Sequence, residues 1–231
     1  MLIVFPFVVV ASFFGKIKGG NFIYALCRIW TDAWFFLIGI FHKNIFLSAL
    51  DNHKQYIFIA NHISYLDIPV ILKSIRYQRI RALGKFETKN IPIFGFIYRS
   101  SVVMVDRSNA SNRANSVRIL KSVLKKGISI FIFPEGTFNE TNQPLKDFYD
   151  GAFRIAIETQ TPIKPVLFLD TYDRLNYNSI FSLSPGKNRA VFLDEIGTEN
   201  LSLNDLPMLK EKIYRLMEEK LIEYKATWIT K

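Results

Sequence analysis

The stretch Ile128-Ser129-Ile130-Phe131-Ile132-Phe133-Pro134-Glu135-Gly136-Thr137 decides the fold class. Its first six residues are nearly all apolar, which suits a short strand buried on both faces of a sheet. Pro134 ends that strand because proline has no N–H for the ladder, and Gly136 permits close backbone approach. Upstream, residues 110–126 place Ala114, Val117, Leu120, Val123 and Leu124 at helical spacing, and Gly127 follows as a stop. Short strands and helices alternate on both sides. Residues 56–60, 80–83, 101–105, 163–169 and 190–193 read as strands. Residues 69–75, with proline in the first turn, and 152–157 read as helices. A last helix begins near Asp205 and Pro207 and carries Leu209, Ile213, Leu216, Met217 and Leu221 on one face. This alternation defines an α/β domain over residues 51–231. No repeat or linker divides it, and 231 residues suit one core.

Residues 1–50 differ. They are far more apolar than the chain average of 49% and contain one acidic residue, Asp32. Two hydrophobic blocks, residues 2–14 and 22–40, are too short or too interrupted for a clean spanning helix. The first carries Pro6 and no preceding basic residue, so it does not read as a secretory leader. The second sets Ile23, Leu26, Cys27, Trp30, Trp34, Leu37 and Ile38 at helical spacing beside Arg28 and Lys43, as at headgroup depth. The expectation is an N-terminal segment attached to the membrane as a tilted or re-entrant helix pair, with Lys16 and Lys18 on its cytoplasmic side. The alternative is an ordinary pair of core helices. On the membrane reading His42 sits at the bilayer edge, and His53 in a solvated turn.

Composition excludes other classes. The single cysteine, Cys27, can form neither an internal disulfide nor a multi-cysteine metal site. The formal net charge of +10 favours an anionic partner. Nucleic acid is disfavoured as that partner, because no recognised binding module occurs and the N-terminus is membrane-like.

The chemistry begins at Asn61-His62-Ile63-Ser64-Tyr65-Leu66-Asp67, which puts a histidine at a strand end and an aspartate at the next helix start. Neutral imidazole accepts a proton near pH 7, and a carboxylate on its other nitrogen fixes the tautomer and stabilises the imidazolium. Asp67 reads equally as a plain N-cap. No serine lies in a G-x-S-x-G elbow and Cys27 lies in the apolar segment, so a base without a nucleophile suggests that the substrate supplies the nucleophile. No histidine and carboxylate set has metal-ligand spacing. Glu135, beside a glycine turn, reads either as a solvated turn residue or as a functional carboxylate.

In order, these residues closely resemble the glycerolipid O-acyltransferases typified by 1-acylglycerol-3-phosphate acyltransferase. The N-H-x4-D block is matched by Asn61, His62 and Asp67. The second block is matched by Lys85, Pro92, Gly95 and Val105-Asp106-Arg107, the F-P-E-G-T block by Phe133 to Thr137, and the fourth by Pro162-Ile163-Lys164-Pro165-Val166. The resemblance covers residues 61–166. It implies a central, mostly parallel or mixed sheet flanked by helices, and acyl transfer from acyl-CoA or acyl carrier protein to a lysolipid hydroxyl. It further implies that His62 is the base and Asp67 its support. Lys85 and Arg107 would hold anionic headgroup oxygens, Glu135 the acceptor, and the turn at Gly136 and Thr137 the oxyanion. No metal or prosthetic group is implied, and the partners are the bilayer, the lysolipid and the thioester donor. The active site is expected at the membrane, facing the cytoplasm. One departure stands out: Phe138 occupies the position after F-P-E-G-T, where lysophosphatidate enzymes often carry an arginine. This leaves a lyso-aminolipid or other lysophospholipid as an alternative acceptor, and Arg113, Lys146 or Arg154 as replacement cations. A non-catalytic lipid-binding protein is the alternative of a different class.

Overall fold

The computed structural model describes residues 4–91, 94–105 and 110–230. Helix α1 (Phe5–Ser12) opens the chain, and Gly15–Gly19 widens into a π turn before helix α2 (Gly20–Ile38). Strand β1 (Ile40–Phe46) follows at once, then β2 (Ile57–Ala60), α3 (Asp67–Ser74), β3 (Ile80–Lys85), α4 (Phe94–Ser101) and β4 (Val103–Val105). The remaining elements are α5 (Ala110–Leu124), β5 (Ser129–Ile132), α6 (Gly151–Thr159), β6 (Ile163–Phe168), the one-turn α7 (Thr171–Arg174), β7 (Gly186–Phe192) and α8 (Leu206–Glu223).

The strands form one seven-stranded sheet in the order β1-β7-β6-β2-β5-β3-β4. All neighbouring pairs are parallel except β6 with β7, so β7 and β1 run against the other five. The sheet is therefore mixed, as the resemblance implies. Alternation along each strand divides the core. Ile57 and Ile59 of β2, Ile130 and Ile132 of β5 and Leu167 of β6 face α5, α6 and α8. Phe58, Phe131, Val166 and Phe168 face α2 and α3. Each central strand is buried on both sides, which is why its sequence lacks polar alternation.

The sheet reaches back to Ile40, ahead of the domain start expected at residue 51. In β1, Ile40 through Phe46 pair in register with Gly186 through Phe192. His42, expected at a bilayer edge, lies inside this edge of the sheet. Its Nδ1 meets Asn188 Oδ1 at 2.7 Å and its Nε2 meets Asn44 Oδ1 at 2.8 Å. Burial lowers its pKa below the ordinary histidine value. The second difference is α4, which the sequence reading did not anticipate. Ser101, expected to begin a strand, closes that helix instead.

Helix α2 belongs to two environments. Ile23, Tyr24, Cys27, Thr31 and Phe35 are buried, whereas Phe22, Ile29, Phe36 and Leu37 are exposed. Its polar residues tie it to α3 and the turn beyond. Arg28 donates to the carbonyls of Ile75 and Gln78, and Asp32 accepts a two-pronged contact from Arg76 at 2.7 and 2.8 Å. No described helix is long and apolar enough to cross a membrane.

Candidate active site

Parallel strands place their C-terminal ends on one edge, and the sequence motifs gather there. The end of β2 is pinned first. Asn61 Nδ2 donates to Phe168 O at 3.0 Å, and Phe168 N–H donates to Asn61 Oδ1 at 2.8 Å, so a side chain extends the ladder to β6. The next residues wrap around one carboxylate oxygen. Asp67 Oδ2 accepts from His62 Nδ1 at 2.9 Å, from Ile63 N–H at 2.8 Å and from Ser64 N–H at 2.9 Å. The five-residue spacing from His62 to Asp67 is the length this cage requires. Asp67 is the first residue of α3, where the helix dipole favours a negative charge. An ionised carboxylate only accepts, so Nδ1 carries the ring proton and Nε2 presents its lone pair.

The imidazole is held in plane by rings. It stacks on Phe133 with centroids 3.9 Å apart and planes 10° apart, and it meets Phe138 edge-on at 4.4 Å. Phe138 packs in turn against Tyr65 and Tyr177.

Glu135 sits beneath this arrangement. Its Oε1 accepts from the His62 backbone N–H at 2.8 Å and its Oε2 from the Lys146 N–H at 2.9 Å. With 2% exposure and both oxygens spent on amides, it braces the backbone of His62 and does not open onto the cleft. Burial pushes its pKa up to about 8, against the pull of those two N–H donors. Gly136, at φ +74°, lets the chain turn sharply, and its N–H closes the turn on Phe133 O at 3.1 Å. Asn139 N–H then donates to His62 O at 2.7 Å, so both backbone polar groups of His62 are held from the β5 side.

The other expected residues divide. Thr137 Oγ1 accepts from Lys146 Nζ at 2.8 Å, which makes Lys146 the replacement cation that reaches the turn. Arg154 lies on α6 near Glu158, at 4.0 Å. Lys85 ends β3 on the catalytic edge, but its side chain falls outside the described residues. Arg107, Asp106 and Pro92 lie outside them as well, as does the side chain of Arg113. The bracing by Asn139 and the rings of Tyr65 and Tyr177 were not anticipated. No local spacing announces them, since they come from loops that meet only in the fold. A cavity of about 590 Å³ lies elsewhere, lined by Arg81, Arg99, Val103, Ile119 and Lys126 among others, with none of the residues around His62 in its wall.

A histidine–aspartate pair at a parallel strand end, braced by a buried glutamate from the next strand, marks a general-base transferase site without its own nucleophile. Residues 44–169 match the Acyltransferase family model, and the chain belongs to that family. It is 30% identical over 177 residues to an uncharacterized acyltransferase of Schizosaccharomyces pombe, covering 75% of this chain and 63% of that protein. It is also 30% identical over 182 residues to a 1-acyl-sn-glycerol-3-phosphate acyltransferase of Cocos nucifera, covering 78% and 58%. The chain thus spans less than two thirds of the length of these two relatives. In fold it is similar to the 1-acyl-sn-glycerophosphate acyltransferase PlsC from Thermotoga maritima, with a TM-score of 0.71 at 23% identity over 96% of this chain and 89% of that one.

Proposed function

We propose that this protein transfers a fatty acyl group from acyl-CoA or acyl carrier protein to the free hydroxyl of a lysolipid, with 1-acylglycerol-3-phosphate as the acceptor and phosphatidate as the product. The observation that carries this reading is the 2.9 Å contact between His62 Nδ1 and the buried Asp67, with the His62 backbone clamped by Glu135 and Asn139. His62 Nε2 removes the proton as the hydroxyl oxygen attacks the thioester carbonyl. Asp67 stabilises the imidazolium that forms. When the tetrahedral intermediate collapses, the C–S bond breaks and the imidazolium returns its proton to the departing thiolate. A positioned base of this kind contributes about 10²–10⁴-fold. The Gly136 amide is spent on its turn, so the amides of Thr137 and Phe138 are assigned to the developing oxyanion. Lys85 and Arg107, with Lys146 beside Thr137, are assigned to headgroup oxygens. Glu135 is assigned a positioning role.

The lipid acceptor calls for a membrane surface. The exposed apolar side of α1 and α2, with Phe13, Phe14, Phe36 and Leu37, supports attachment in the interface, on the cytoplasmic side. A second acceptor reading rests on Phe138. The face of an aromatic ring is electron-rich and does not attract phosphate, which favours an acceptor lacking a phosphomonoester, such as a lyso-aminolipid. One assay tests both readings: purified protein with each thioester donor, offered lysophosphatidate or a lyso-aminolipid. His62→Ala should lower transfer by about 10²-fold or more while circular dichroism stays unchanged. Undiminished transfer by that variant overturns the base assignment, and the acceptor ratio decides between the headgroups.

A further inference from the structure

The segment between α7 and β7 is not used by this chemistry. Its base is closed: Ser184 N–H donates to Arg174 O at 2.8 Å, Ser184 Oγ donates to Asp173 O at 2.8 Å, and the Arg174 guanidinium donates to Pro185 O. A Cβ at Gly186, where φ is +135°, would collide with that guanidinium, so the exit from the loop requires glycine. Its interior is bonded as well. Asn176 N–H donates to Ser182 Oγ at 2.9 Å, Ser182 Oγ donates to Ser179 O at 2.7 Å, and Phe181 N–H donates to Ser179 Oγ at 3.1 Å. A compact loop with joined ends is a defined surface feature, not slack chain. Yet its tip holds out two large apolar side chains, Ile180 at 68% exposure and Phe181 at 91%.

The loop is fastened to the catalytic edge. Ser64 Oγ donates to Leu175 O, Ser64 and Asn176 form an isolated antiparallel bridge, and Tyr177 stacks on Phe138, which touches His62. Strands β7 and β1 run opposite to β2 and β5, so they begin where those strands end. At that edge α2 ends with Phe36 and Leu37 exposed, and β1 opens with Phe41 exposed. Gly186 N–H donates to Gly39 O at 3.0 Å, which joins the loop to this corner. In the ladder Lys187 stands opposite Phe41, and both Lys187 and Lys43 are exposed.

We infer that residues 176–185 form a lipid-inserting loop, with Ile180 and Phe181 entering the acyl region of an anionic bilayer and turning the His62 edge toward the membrane. Apolar tips next to lysines match hydrocarbon next to anionic headgroups. The rings at the end of α2 and the start of β1 extend the same contact. The helix pair supplies affinity for the surface, and the loop sets which edge faces it. This inference rests on the acyl-transfer reading for its purpose, and it can fail separately.

The test uses the full chain with Phe181→Cys in a Cys27→Ala background, carrying an environment-sensitive fluorophore, and vesicles of phosphatidylcholine and phosphatidylglycerol with brominated acyl chains. The fluorophore should shift to the blue and be quenched by bromine. A second variant, Ile180→Ser with Phe181→Ser, should transfer to a long-chain lysolipid in vesicles about tenfold more slowly than the parent. It should match the parent on a short-chain, water-soluble acceptor. A fluorophore that stays in water on bound protein, together with equal vesicle rates, overturns the loop. If the parent acylates neither acceptor, the acyl-transfer reading fails, and bromine quenching alone then decides for or against insertion.

Discussion

Strand β2 and the N-terminal helices draw on the same apolar residues and meet opposite surroundings. Ile57, Phe58, Ile59 and Ala60 are fully buried between two helical layers. In α2, one side packs on the sheet while Phe36, at 85% exposure, and Leu37 face outward, and Phe13 and Phe14 are bare before the π turn. The sheet consumes the apolar surface of its strands, and the fold leaves that of the helices unused. Apolar surface that folding does not bury is available to lipid. The polar groups follow the same division. Around His62 most buried donors and acceptors are paired within the protein, whereas Lys16 and Lys18 stand exposed beside the bare rings.

Substitutions on the two sides should therefore fail differently. The largest effect is expected at the cage: Asp67→Asn should lower kcat by about 10²–10⁴-fold, because the amide no longer fixes the tautomer or stabilises the imidazolium. Steady-state kinetics with the thioester donor checks this, and a change confined to KM would contradict it. Next is Phe58→Ala in β2, which should cost about 3–5 kcal/mol of stability through an unfilled cavity, read by denaturant titration. Glu135 gives a pH signature. Its pKa lies at about 8 in the folded protein and at about 4.5 as a free side chain, so folding favours the protonated carboxyl. Its contribution is full below 4.5 and declines as pH rises toward 8. The unfolding midpoint should show that decline, and Glu135→Ala should flatten it while lowering stability throughout. The smallest change in stability is expected outside the sheet. Phe13→Ser with Phe14→Ser should alter stability by no more than about 0.5 kcal/mol yet weaken co-sedimentation with anionic vesicles. A large loss of stability there would place those rings in the core and remove the contrast.

Some of this was legible from local sequence. The β2 and β5 strands declare themselves as short unbroken apolar runs, and the His62–Asp67 spacing declares a loop that closes on the first residue of a helix. Strand β1 does not. Ile40 through Phe46 continue an apolar block, and their extended form comes from pairing with β7 far along the chain. Helix α4 hides for a similar reason: it is short and begins near Gly95, whose propensity is poor. Glu135 was recognisable as unusual, but its role was not. A carboxylate at a strand end looks the same whether it meets substrate or two backbone amides.

Sequence alone determined the class of fold, the identity of the base and its partner, and the presence of a surplus of apolar residues near the N-terminus. Each is a local property, set by periodicity or by a spacing of a few residues. Tertiary structure decided which apolar side chains are sheltered, that His42 joins a sheet, that Glu135 braces His62, and that the rings of Tyr65, Phe138 and Tyr177 assemble beside it. Those outcomes depend on segments brought together by burial, and burial depends on the whole chain at once.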